Sequence, residues 1–214
     1  MIRATTTFAF ALSTLAALGG IEPWGDPNLP VRDGLVAWFD TSRQNAAREA
    51  AQLAPLSSGS PVDYLLDGSG ERRHLTQPVA SFRPTFRQSG SHSWLSFDGT
   101  DDFLPAVGWN LSLTNATLFV VAAPRTNAGF YRAFLSFNRA GRNDYQSGLN
   151  LDLGGQSTAD LARINVEGLG FGGEKNLLTS PQAFGRWATF RLVTRPGTNG
   201  VRLYLNGQAQ GARD

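Results

Sequence analysis

Hydrophobic and polar positions alternate in short runs along most of the chain, and clusters of turn residues separate the runs. The clearest case is Trp187 to Gly211. There W-A-T-F-R-L-V-T and V-R-L-Y-L-N-G-Q flank the turn R-P-G-T-N-G, a strong hairpin signal. Val201, Leu203 and Leu205 fall on one face of the second run, with Arg202 and Tyr204 on the other. Asn206-Gly207 predicts a second tight turn, and Gln208 to Asp214 leaves little room for a returning strand, so the last strands are expected to be missing. In G-L-N-L-D-L, residues 148–153, three leucines share one face and Asn150 and Asp152 the other. Thr117 to Ala123 is almost wholly apolar, as expected of a strand covered on both faces. Gly34 to Asp40 reads as the first strand; Ser93 to Asp98, Asp102 to Val107, Tyr131 to Asn138 and Ala162 to Glu167 read as others. Only Arg43 to Leu53 has helical character, with Thr41 or Ser42 as its expected cap. The pattern predicts an all-β, antiparallel two-sheet β-sandwich or jelly roll with one short helix near residues 43–53.

The start of the chain adds a location. Arg3 precedes the apolar stretch Phe8 to Leu18, small residues follow, and Glu22-Pro23 breaks the pattern. This is the form of a secretory signal peptide, too short to span a bilayer. The expected layout is a signal at 1–20, a Pro-rich linker at 21–32 and one domain over 33–214. The product is then periplasmic, cell-surface or secreted. With no cysteine, thiolate metal sites and disulfides are excluded, and the core alone must hold the fold. The formal charge is +2, and the 18 arginines are scattered rather than gathered into a patch, which argues against a nucleic-acid partner.

Several segments together resemble the laminin-G-like branch of the concanavalin A-like jelly rolls. They are G-L-V-A-W-F-D at 34–40, F-D-G-T-D-D-F-L at 97–104, Thr117 to Ala123, and the pair W-A-T-F and V-R-L-Y-L-N-G near the end. The resemblance implies a concave sheet, glycan or extracellular-matrix-type ligands, a role in adhesion, and in some members calcium. It also implies that further strands follow the last turn. Arg139 to Gly154 and Gly168 to Leu178 are similar to versions found in large exported bacterial proteins, some with cytochrome c-like modules. A structural packing domain of such a protein is the alternative.

Catalytic chemistry finds little support. A retaining glycosidase needs two carboxylates about 5 Å apart, usually from one alternating acidic strand. The glutamates are Glu22, Glu49, Glu71, Glu167 and Glu174, and none belongs to such a strand. His74 and His92 lack a nucleophile elbow. The expected product is therefore not an enzyme, with a glycoside hydrolase as the weakest alternative. Two clusters carry ligand chemistry. Asp98, Asp101 and Asp102 surround a Gly-Thr turn and offer oxygens to a calcium ion, or cap the turn through Asp98. Asn143, Asp144 and Tyr145 form a polar loop, with Asn150, Asp152 and Asn165 adding polar groups on neighbouring strands. Carboxylate and amide groups chelate sugar hydroxyls, and an aromatic ring stacks on a pyranose face. Gly168 to Gly173, G-L-G-F-G-G, lacks the Lys-Ser/Thr of a phosphate loop and reads as a glycine-rich bend.

Overall fold

The computed structural model describes residues 20–214; residues 1–19, and with them most of the expected signal peptide, lie outside the described residues. The chain is β-rich, with antiparallel pairing in every sheet, as the alternation predicts. It divides into two compact units, one up to Trp109 and one from Asn110 to Asp214. No helix among the described residues is long and apolar enough to cross a membrane.

In the first unit, a 3-10 turn at Thr41–Arg43 leads into helix α1, Gln44–Ala50. Neither Thr41 nor Ser42 caps α1, whose N-cap is Arg43 with no side-chain cap bond; Asp40 caps the 3-10 turn instead, its carboxylate accepting the Ser42 amide at 2.8 Å. A carboxylate one residue upstream reaches the orphan amides of the first turn, so the hydroxyls are not needed. Strand β1, Tyr64–Leu65, pairs with β2, Leu75–Thr76, and β3, Thr85–Ser89, pairs with β4, His92–Ser96. Leu56, Val62 and Phe86 form a small core. The expected first strand, Gly34 to Asp40, joins no ladder. Its backbone is tied by Asp67 instead: the Trp38 amide donates to that carboxylate at 2.8 Å, and the Trp38 carbonyl accepts from Gly68 at 2.8 Å. The apolar pattern specifies an extended chain but not what pairs with it. Asp102 to Val107 likewise forms no strand. Arg48 is buried and meets Asp63 at 2.9 Å. Burial raises the Asp63 carboxyl, but the Arg48 hydrogen bond and charge outweigh it and hold the group below the usual carboxylate range.

The second unit holds the larger core. Strand β5, Ala116–Ala122, is followed by β6, Ala133–Phe137, and the single helical turn α2, Asp144–Ser147. Then come β7, Leu149–Asp152; β8, Asn165–Gly168; β9, Ala188–Thr194; β10, Val201–Leu205; and β11, Gln208–Arg213. They build a four-stranded sheet in the order β11-β10-β9-β5 and a three-stranded sheet β6-β7-β8. One hydrophobic cluster draws on both: Leu151 and Val166 from the smaller, Phe190, Leu192, Leu203 and Leu205 from the larger. Phe134 and Phe190 meet with ring centroids 4.9 Å apart.

Two expectations fail here. The returning strand is present: β11 pairs back onto β10 from Gln208 to Arg213. Asn206 and Gly207 take φ of 50° and 82°, the left-handed pair of a tight primed turn, so two residues reverse the chain and the remainder reaches along the partner. Strand β5 is not covered on both faces. Leu118, Val120 and Ala122 pack on the core, but Phe119 is 67% and Val121 66% exposed, because β5 is an edge strand with one solvent face. On β10, Val201, Leu203 and Leu205 are buried as read, and Tyr204 on the other face carries the Arg191 guanidinium 3.7 Å above its ring.

Candidate functional site

The richest polar constellation lies on the smaller sheet of the second unit. Strands β7 (L-N-L-D) and β8 (N-V-E-G) run antiparallel with Asn150 opposite Glu167 and Asp152 opposite Asn165. Side chains alternate along a strand, so these four share one face while Leu151 and Val166 enter the core on the other. Asn150, Asp152 and Asn165 are buried despite their polarity. They remain so because they bond to each other. The Asn150 amide donates to Asp152 Oδ2 at 2.6 Å, and the Asn165 amide donates to the same oxygen at 3.1 Å and to Glu167 Oε1 at 3.0 Å. The Gly154 amide donates to Asp152 Oδ1 at 2.5 Å. The oxygen Asn150 Oδ1 is buried and has no partner.

The rim contains residues that the sequence did not announce. Asn127 anchors the loop before β6, donating to the carbonyls of Leu153 at 2.9 Å and Gln156 at 3.0 Å while accepting from Gly129 at 2.8 Å. Phe130 and Tyr131 follow, both left-handed, with φ of 59° and 55°. Neither is glycine or asparagine, so the conformation is strained. Their amides hold it by donating to the Gly155 and Gly154 carbonyls, each at 3.1 Å. Both rings are displayed: Phe130 is 82% and Tyr131 49% exposed. Gly155 makes room for the Tyr131 ring, since a Cβ there would lie 2.9 Å from the phenol. Glu174 completes the rim. It pairs with Arg163, accepts the Gly155 amide at 3.4 Å and hydrogen-bonds the Tyr131 hydroxyl. The charge of Glu174, then desolvation and the hydrogen bond to Glu174, and more weakly Glu167 and Asp152, push the Tyr131 phenol above its ordinary value. The hydroxyl therefore stays protonated and donates.

Of the sequence candidates, Asn150 and Asp152 form the floor of this site. Asn143, just before α2, and Tyr145 on it pair with one another, the Asn143 amide donating to the Tyr145 hydroxyl at 2.6 Å, and Tyr145 is exposed beside Gly172. The Asp144 side chain lies outside the described residues. The described bonds thus join these candidates as two pairs. The signal missed in the sequence was Glu174 directly after the glycine-rich bend, and Gly129-Phe130-Tyr131 as a turn bearing aromatics.

The second candidate cluster is in the first unit. The carboxylates of Asp98, Asp101 and Asp102 offer oxygens within 4.8 Å of one another. Asp98 Oδ1 accepts the amides of Thr100 at 2.7 Å, Asp101 at 3.2 Å and Asp102 at 3.4 Å, and the Asp98 amide donates to Asp102 Oδ2 at 2.8 Å. A calcium ion wants six to eight oxygens, and here the best placed ones already serve the backbone. Burial, and then the charges of Asp98 and Asp101, raise the Asp102 carboxyl against the opposing bond to the Asp98 amide. The residues fit a turn cap better than a calcium shell. His74 Nδ1 accepts the Asp67 amide at 3.0 Å, and His92 is exposed at the start of β4.

No family model, no curated protein and no solved structure matches the chain.

Proposed function

We propose that the chain is an exported, non-catalytic binding or adhesion module, a jelly roll of the laminin-G-like kind, that recognises a polyhydroxylated extracellular ligand such as a glycan through its second unit. One observation carries this reading: two consecutive aromatic residues, Phe130 and Tyr131, are displayed in a strained conformation beside Glu174 and the buried Asp152–Asn165–Asn150 face. Strain and exposed rings are retained against stability where they serve recognition. Rings stack on the apolar face of a pyranose, and carboxylates and amides satisfy its hydroxyls. Tyr145 on α2 and Asn143 just before it extend the polar surface. The test is a glycan array probed with the full chain, with and without calcium. Binding that drops at least about tenfold in Tyr131→Ala and Glu174→Gln supports the reading. Binding unchanged in both variants, or silence across the array, sinks it.

A second reading is favoured by the internal bonding of the polar face. Asp152, Asn150 and Asn165 bond one another, as a purely structural network does. On that reading the chain is a packing domain of a larger exported protein, one with cytochrome c-like modules among its candidates. A silent array with a strongly destabilised Asp152→Asn variant is its signature. Release of reducing sugar from β-glucans tests the glycosidase alternative.

A further inference from the structure

The segment that carries Glu174 is held down in an unusual way. Residues 169–175 leave β8 at Gly168 and are fixed again where the Leu177 amide donates to the Ile164 carbonyl at 2.8 Å. Between those points the chain turns at Gly170 and Gly173, with φ of 91° and 88° and open space where a Cβ would stand. Glycines in such positions leave the backbone free to move. The segment is held where Glu174 takes the Gly155 amide and the Tyr131 hydroxyl, where the Phe171 ring packs against the core, and by three further ties. The Lys175 amide donates to Asn165 Oδ1 at 2.8 Å, and Glu174 pairs with Arg163. The third tie comes from the last strand: Arg213 donates to the carbonyls of Val166 at 2.7 Å, Gly173 at 2.8 Å and Gly172 at 2.9 Å.

That guanidinium is a buried cation whose hydrogen bonds go only to neutral carbonyls and whose carbon lies 5.4 Å from the Phe171 ring centroid. It is 9% exposed, none of the ion pairs among the described residues includes it, and its Nε has no partner. A buried charge without a counter-charge is costly, and so is an unmade hydrogen bond. Asn150 Oδ1 on the polar face is a second buried group left unpaired. Water would satisfy the Arg213 Nε if the segment lifted, which narrows the gap between the closed arrangement and an opened one.

We infer that residues 169–175 form a lid over the Asp152 end of the polar face, latched by Arg213 and by the Arg163–Glu174 pair. Closed, the lid places Glu174 against Tyr131 and Gly155 and shields Asp152 and Asn165. Opened, it exposes their carboxylate and amide groups to a hydroxyl-rich ligand. As a ligand gate, this rests on the binding reading above; as a conformational device, it does not.

Amide hydrogen exchange on the full chain tests it without a ligand. Arg213→Met keeps the apolar stem and removes the three donors. The expected result is exchange of the Lys175 and Phe171 amides accelerated at least about tenfold, with Leu192 and Leu203 in the central strands unchanged. Lys175 exchange within about twofold of the parent, or equal acceleration at Leu192, overturns the latch. Should Arg213→Met fail to fold, Glu174→Gln weakens the other tie, and acceleration at Lys175 with Leu192 unchanged is again required. A lid that opens as stated beside a silent glycan array removes the ligand and keeps the device.

Discussion

The chain contains two gatherings of acidic and amide side chains, and they differ in how they are made. Asp98, Asp101 and Asp102 are neighbours in sequence, and their carboxylates satisfy their own turn. Asn150, Asp152, Asn165 and Glu167 come from two strands, and the ladder register brings them together. The first cluster is mostly exposed, the second mostly buried. Nearness along the chain makes a carboxylate a cap for local amides. Nearness across a ladder lets Asp152 keep one local bond, from the Gly154 amide, and commits its other oxygen to a shared network. A dense acidic motif is thus weaker evidence of a site than a polar pair on a strand whose partner strand is polar at the same register.

The largest effect should come from removing the hub of the buried network. Asp152→Ala strands the amides of Asn150, Asn165 and Gly154 and should cost about 3 kcal/mol of unfolding free energy. Asp98→Ala removes a turn cap and should cost about 1 kcal/mol. Urea denaturation of both variants compares them directly, and an Asp98 variant that loses as much as the Asp152 variant would break the distinction. A smaller effect of opposite sign is expected at the rim. Tyr131→Gly relieves a left-handed non-glycine residue and should raise stability by about 1 kcal/mol, read by thermal melting, while abolishing ligand binding.

Acid titration sharpens the contrast further. Asp63 is held low by Arg48, so its contribution is present above the ordinary carboxylate pKa and is lost as pH falls through its depressed folded value. Asp102 is held high, so its contribution is present below the ordinary value and is lost as pH rises through its raised folded value. Asp63→Asn should therefore flatten the loss of stability in acid, and Asp102→Asn should remove a small penalty at neutral pH. Identical pH profiles for both variants and the parent would refute the assignment. The smallest effect is expected from calcium. If the aspartate turn is a backbone cap, millimolar calcium leaves the melting temperature of the parent and of Asp101→Asn alike; a rise that grows with the logarithm of calcium concentration would make it an ion site.

Local chemistry was legible and register was not. The Pro-Gly and Asn-Gly turns predicted the β9–β10 hairpin, and alternation placed Val201, Leu203 and Leu205 inside. Alternation also found Asn150 and Asp152 together on one face. It could not find Glu174 or Tyr131, because they reach the site through the β7–β8 pairing and the Asn127 anchor, which join residues far apart in sequence. No residue type marks Phe130 and Tyr131 as left-handed; the strain is imposed by bonds to Gly154 and Gly155. The Gly34 to Asp40 run shows the converse. Its pattern is that of a strand, yet an aspartate side chain took the place of a partner strand.

Strand β5 bears on how this protein behaves at high concentration. Its seven residues, A-T-L-F-V-V-A, hold no charge and no proline, and one long edge pairs with nothing among the described residues. The usual protections of an edge are absent, and Phe119 and Val121 add a sticky outer face. At high concentration this edge is a template for strand addition, built from seven residues that take no part in the candidate site.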